Sequence, residues 1–131
     1  MTDCKILVVE DDDGIRGLVK VLAGRAGYST TMARNGIEAI EALNTDSFGV
    51  VVLDLMMPVA SGYDVISHIR DNALGVPVVV MTAVVKGVEL DTFDPVIVKA
   101  IVRKPFDLQS LLDAIDAAYK SGSKDSASVG S

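Results

Sequence analysis

The chain has 131 residues, half of them hydrophobic, a length that fits one domain with its own core. A formal net charge of −6 without any Lys/Arg-rich run weighs against a direct nucleic-acid partner or an anionic membrane surface. The single cysteine, Cys4, cannot close an internal disulfide, no signal-peptide pattern opens the chain, and no apolar stretch approaches the roughly 20 residues needed to span a bilayer, so a soluble protein of the reducing cytoplasm is expected.

Residues 5–9, Lys-Ile-Leu-Val-Val, form a continuous apolar run that stops at the acidic cluster Glu10-Asp11-Asp12-Asp13, the pattern of a fully buried strand. Ile15, Leu18, Val19, Leu22 and Ala26 then recur at helical spacing, with Asp12 or Asp13 as N-cap and Gly27 placed for a left-handed C-terminal cap. Residues 28–33 read as a more polar edge strand. Asn35 followed by Glu38 resembles a capping box, opening a helix with Ile37, Ile40 and Leu43 inward.

The rhythm repeats with a buried strand over 50–53 ending at Asp54, a helix over 62–71, and a strand over 78–81 introduced by Gly75 and Pro77. Residues 86–94, broken by Gly87 and followed by Pro95, predict only a short or irregular fourth helix. Residues 96–103 predict a fifth strand. Asp107 caps a last helix in which Leu108, Leu111, Leu112, Ile115 and Ala118 share a face. The domain is expected to span residues 4–120, and the Gly/Ser-rich residues 121–131 to form a flexible tail or linker.

Strictly alternating strands and helices imply an α/β fold, a doubly wound parallel sheet of five strands. With the polar second strand at an edge, right-handed crossovers favour the order 2-1-3-4-5, whose switch point lies between strands 1 and 3. Glu10 and Asp11 would end strand 1 and Asp54 the adjacent strand 3, gathering three carboxylates at the carboxyl edge. Such a cluster repels itself unless a carboxyl is protonated or a cation is bound, and hard oxygen ligands suit Mg²⁺. Taken alone, the first acids could simply cap helices. Thr82 and Lys104 end strands 4 and 5 at the same edge. Each alone would read as a cap or a solvated charge, but together with the acids they describe a phosphoryl site: a carboxylate attacks, and Lys and Thr bind the non-bridging oxygens.

Four segments, Ile6-Leu7-Val8-Val9-Glu10-Asp11-Asp12, Val51-Val52-Leu53-Asp54-Leu55-Met56-Met57-Pro58 with Gly62, Met81-Thr82-Ala83 and Lys104-Pro105-Phe106, resemble in order and spacing the signature segments of response-regulator receiver domains. The resemblance implies the flavodoxin-like receiver fold of two-component phosphorelay signalling. Asp54 would take a phosphoryl group from a histidine kinase or histidine phosphotransfer protein. Glu10 and Asp11 would form the acidic pair, and Asp11, Asp54 and the backbone carbonyl of Met56 would hold Mg²⁺. Lys104 would pair with the phosphoryl group and Thr82 would move to hydrogen-bond it, switching a surface built from the fourth helix, fifth strand and last helix. On this reading the protein is a phosphoacceptor that assists its own phosphorylation and dephosphorylation rather than a turnover enzyme. Ala83 and Met56, small and bulky beside the site, would tune the lifetime of the aspartyl phosphate.

The chain departs from the family pattern at Ile101, where an aromatic residue is usual, and in residues 94–100, which lack a Gly-Ala-rich turn; both predict an atypical signalling face. His68 reads as a surface histidine, Cys4 as a small residue at a strand start, and Met56 and Met57 as loop and packing residues. A receiver-like adaptor acting through protein binding without phosphorylation is the alternative, favoured by Ile101 and opposed by the full set Glu10, Asp11, Asp54, Thr82 and Lys104. A hydrolase on the same sheet is opposed by Met56, which stands where an Asp-x-Asp motif needs its second acid. Nucleotide and dinucleotide sites lack their glycine-rich loops, and a flavin site would need a phosphate-binding loop after strand 1, where the chain is acidic instead. With no effector domain following in the sequence, output is expected through a downstream protein effector, or the chain is a piece of a larger protein.

Overall fold

The computed structural model describes residues 5–57, 59–84 and 87–130, the last nine of these by backbone alone. Cys4, Pro58, Lys86 and Ser131, named above, lie outside the described residues. Five parallel strands, β1 (Lys5–Val9), β2 (Ser29–Ala33), β3 (Val50–Asp54), β4 (Val78–Thr82) and β5 (Val98–Arg103), lie in the order β2-β1-β3-β4-β5. This is the expected doubly wound order.

The helices are α1 (Asp13–Arg25), α2 (Gly36–Thr45), α3 (Gly62–Asp71) and α4 (Leu108–Gly130). Their starts follow from local side-chain chemistry. Asp12 accepts from the Ile15 N–H at 2.9 Å, Asn35 from Glu38 at 2.9 Å, and Asp107 from Ser110 at 3.0 Å, each satisfying an amide that the first helical turn leaves unpaired. The Glu38 side chain reaches one residue further back than a capping box requires, accepting from the Arg34 N–H at 2.8 Å. Gly27 ends the α1 turn at φ +96°, where a side chain would be strained.

Alternate strand residues divide between two apolar layers. Leu7, Val9, Val51, Leu53, Val78 and Val80 pack with Ala39, Leu43, Val65 and Ile69 of α2 and α3. Ile6, Val8, Val50, Val52, Val79 and Met81 pack with Val19, Ala23, Leu111, Ile115 and Ala118 of α1 and α4. β1, β3 and β4 are therefore apolar except for Lys5, Asp54 and Thr82 at their ends, being covered on both faces. No helix is long and apolar enough to cross a membrane among the described residues.

Several sequence expectations need correction. Ile37, read as inward, is exposed; Gly36, Ala39 and Leu43 are the residues α2 buries. Leu18 of α1 and Ala26, which caps its C-terminus, are likewise exposed, and the buried stripe is centred on Val19 and Ala23. Both shifts arise because small residues let a helix approach the sheet closely. The backbone of α4 continues to Gly130, and no proline in residues 121–130 forbids this.

The fourth-helix region is irregular, as its sequence implies. Among the described residues between β4 and β5, regular structure is limited to a 3₁₀ turn at Leu90–Thr92. Val88 and Ile97, both buried, and the partly buried Phe93 cover the sheet there. β5 begins at Val98, two residues later than expected, because Asp94 turns the chain: its carbonyl accepts from Ile97 and Val98 at 3.0 and 2.9 Å.

Candidate functional site

The carboxyl ends of β1, β3, β4 and β5 converge on one edge. Register places Val9 of β1 beside Leu53 of β3, and Asp54 beside Met81, so Glu10 comes level with Asp54 and Thr82 directly follows its β4 neighbour. Glu10, Asp11 and Asp54 each offer a carboxylate oxygen within 4.8 Å of the others. Glu10 and Asp54 are buried whereas Asp11 is exposed. The cluster thus has one open side.

Lys104 enters it from β5. Its Nζ donates to Glu10 Oε1 at 2.7 Å and stands 3.5 Å from Asp54 Oδ2. Backbone donors complete the site: the Asp12 N–H reaches Glu10 Oε2 at 3.1 Å, and the Met56 N–H reaches Asp54 Oδ1 at 3.3 Å. Arg16 donates to the Glu10 carbonyl at 2.9 Å. Burial pushes the Glu10 carboxyl up to about 7, outweighing its bonds to Lys104 and Asp12. Burial also raises Asp54, against the opposing effect of Lys104. Burial would lower Lys104, but its bond to Glu10 and the nearby Asp54 charge raise it instead.

Asp54 keeps one carboxylate oxygen near Lys104 and its other on the Met56 amide, beside an exposed edge. The loop after it is gripped by two glycines. A Cβ on Gly62 would lie 2.5 Å from the Asp54 carbonyl and 2.8 Å from Leu55 Cα, and one on Gly36 would lie 2.5 Å from the Ala60 carbonyl. Only glycine permits these approaches. The Met56 side chain is exposed and Met57 is buried in the core, and neither joins a soft-metal set.

Thr82 is fully buried at the end of β4, where its Oγ1 accepts from the Val84 N–H at 3.0 Å and its carbonyl accepts from the Lys104 N–H at 2.8 Å. Ala83 beside it is exposed, and Ile101 is partly buried against the α2/α3 layer. His68 lies apart from the cluster in a more bonded setting than a plain surface histidine, partly buried between Asn44 of α2 and Asn72 at 3.0 and 3.2 Å.

Hard oxygen donors around an open, mutually repelling cluster fit a divalent cation of the Mg²⁺ type. The same edge offers a carboxylate nucleophile, an ammonium and a hydroxyl. The family model described as "Response regulator receiver domain" matches residues 6–116, which takes in every element just described except Lys5 of β1 and the end of α4.

The chain belongs to the response regulator receiver domain family.

Known members fit this assignment. The receiver domain is 30% identical to the "Uncharacterized transcriptional regulatory protein YkoG" of Bacillus subtilis over 95% of this chain and 55% of that protein. The chain spans about half the length of the curated relatives it matches. Among solved structures it superposes on the receiver domain of the Francisella response regulator 1452 with TM-score 0.79 and 28% identity, covering 89% of this chain and 97% of that one. The response regulator protein TrrA of Thermotoga maritima, solved in complex with Mg(2+)-BeF, gives TM-score 0.77 and 28% identity, with 87% and 97% covered.

The acids and the lysine, which the sequence located at strand ends, are brought together. Sequence reasoning missed Arg16, whose guanidinium holds the Glu10 carbonyl, and Arg103, which turns away from the acids toward the β4–β5 segment. The adjacency of Arg103 to Lys104 was the available signal: two cations end one strand, and a single acidic cluster needs only one of them.

Proposed function

We propose that this receiver domain accepts a phosphoryl group on Asp54 from the phosphohistidine of a histidine kinase or phosphotransfer protein, with Mg²⁺, and signals through a protein-binding surface. The observation that carries this reading is the position of Asp54, buried yet beside the open side of the acidic cluster, with Lys104 Nζ 3.5 Å from one carboxylate oxygen. An Asp54 oxygen attacks phosphorus, the P–N bond to the imidazole breaks, and the ring leaves with its electron pair and takes up a proton. Lys104 balances negative charge on the phosphoryl oxygens, and the Thr82 hydroxyl donates to one of them. When bound, Mg²⁺ would be held by Glu10, Asp11, Asp54 and the Met56 carbonyl, and would neutralise charge on the transferring group.

The aspartyl phosphate, an acyl phosphate, is open to attack by water, so the domain assists both its own phosphorylation and its dephosphorylation and is no turnover enzyme. It works in the cytoplasm, where the kinase donors and a thiol such as Cys4 coexist. Because relatives are named transcriptional regulators and are about twice as long, the effector is either a separate protein or a domain of a longer chain. The phosphorylation-independent adaptor gains support from Ile101, which puts no aromatic ring on β5.

Intact mass after incubation with a small acyl phosphate, with and without Mg²⁺, tests the proposal beside Asp54→Asn. A single Mg²⁺-dependent phosphoryl adduct, absent from the variant, is expected. Failure of wild type to gain it from both the acyl phosphate and a phosphohistidine donor would select the adaptor.

A further inference from the structure

β5 ends in two neighbouring cations that part company. Lys104 enters the acidic cluster, whereas Arg103 folds back over the end of β4 and donates through Nη1 to the Val84 carbonyl at 2.8 Å and through Nη2 to the Val88 carbonyl. The same Nη2 lies 3.5 Å from Glu89 Oε2. One planar guanidinium therefore grips the chain at two carbonyls on either side of residues 85–86, a fork that an ammonium cannot reproduce.

Val84 is held from its other side by the phosphoryl site, since its N–H is the group that donates to Thr82 Oγ1 at 3.0 Å. A continuous set of bonds thus runs from Thr82 through Val84 and Arg103 to Val88. Beyond it, residues 88–93 are seated by Val88 in the core and by Phe93, whose ring stacks on Tyr63 with centroids 6.0 Å apart and planes 17° from parallel. Tyr63 directly follows Gly62, which packs on the Asp54 carbonyl. The segment that stands where a full helix would lie is consequently anchored at both ends to the site.

We infer that Arg103 is a positioning residue that couples the Thr82 hydroxyl to residues 88–93, making this segment the part of the surface that responds to Asp54. The inference rests on the phosphoacceptor reading above. When the Thr82 hydroxyl bonds a phosphoryl oxygen, its acceptor relation to Val84 changes, and Arg103 transmits that change because it ties the Val84 and Val88 carbonyls into one unit. Without the fork, residues 88–93 would keep the packing of Val88 and Phe93 and the Tyr63–Phe93 stack but lose their hydrogen-bonded tie to Val84.

Hydrogen exchange of the whole chain, read by mass spectrometry with and without acyl phosphate and Mg²⁺, tests this when adduct occupancy is measured on the same samples. In wild type, phosphorylation is expected to change exchange in peptides covering residues 87–97 at least twofold. Arg103→Ala should still take the adduct and keep slow exchange in β1 and β3, with residues 87–97 exchanging faster from the outset and no longer responding. Arg103→Lys, which keeps the charge and the aliphatic stem but not the fork, should behave alike and serves if the alanine variant does not fold. A wild-type response in either folded variant overturns the inference, as does wild-type protein that gains the adduct without any change in residues 87–97. A folded variant unable to take the adduct also overturns it, because Arg103 would then act in transfer itself. Absence of the adduct from wild type with both the acyl phosphate and a phosphohistidine donor overturns the phosphoacceptor reading and this inference with it.

Discussion

β3 and β5 deliver their functional residues to the same edge of one sheet by opposite means. Every residue of β3 is buried, and Asp54 is held by packing on both faces, by the Met56 amide and by the close approach of Gly62. β5 is an edge strand with only two buried residues, a register irregularity against β4, and two long cationic side chains at its end. On the proposed function, the acceptor carboxylate sits on the fully buried strand and the contacts that respond to it on the less buried edge strand.

The comparison breaks most visibly at Lys104. Lys104→Met removes the cation that faces Asp54, and the Mg²⁺-dependent rate of adduct formation should fall by about 100-fold, the scale of losing one preorganised charge at a reacting group. A rate within twofold of wild type, read by time-resolved intact mass, would mean that the β5 cation is dispensable and β3 sufficient.

Rigidity on the β3 side predicts a packing effect of opposite sign at two glycines. Gly62→Ala should destabilise by about 1–3 kcal/mol in urea unfolding, since the new methyl would meet the Asp54 and Leu55 backbone. Gly17→Ala in α1, with nothing within 4 Å of the added carbon, should stabilise by about 0.5–1 kcal/mol through helix propensity. Equal effects at the two positions would show that the loop after β3 yields.

Titration separates the buried acids from the β5 lysine. Glu10 has its carboxyl raised from 4.5 to about 7 by burial, so the folded state holds that proton more tightly than the unfolded chain. Its contribution to stability is fully present below pH 4.5 and is lost as pH rises through about 7; the raised Asp54 acts in the same direction. Lys104, also raised, contributes stability that is present below 10.5 and disappears only above it. Urea midpoints of metal-free protein should therefore decline from pH 5 to pH 7.5, and Glu10→Gln should flatten the decline.

A small effect concerns the β4–β5 segment. Phe93→Ala removes the stack on Tyr63 together with part of the core covering, and a loss of about 1 kcal/mol is expected beside an unchanged adduct yield. A fall in adduct yield would tie the segment to the chemistry more tightly than its exposure implies.

Sequence periodicity located the three central strands because a sheet covered on both faces leaves them no polar option: residues 6–9, 50–53 and 78–81 are apolar runs that stop at Glu10, Asp54 and Thr82. Helix starts were legible through Asp12, Asn35 and Asp107, whose caps are local. Inward faces were less legible. Ile37 and Leu18 are apolar and suitably spaced, but the sheet is approached through Gly36, Ala39, Val19 and Ala23, and small residues leave no hydrophobic signal proportional to how closely they pack.

By itself the sequence determined what depends on neighbours along the chain: the strands, the caps, the irregularity of residues 86–94, and the set Glu10, Asp11, Asp54, Thr82 and Lys104. Tertiary structure alone decided what depends on distance between remote segments. It brought Lys104 to 2.7 Å from Glu10, raised the acids by burying them, and turned Arg103 toward Val84 rather than toward the carboxylates. Strand periodicity and capping act over a few residues and leave their mark in order, whereas the direction of a long cationic side chain is set by whichever partners the assembled sheet presents to it.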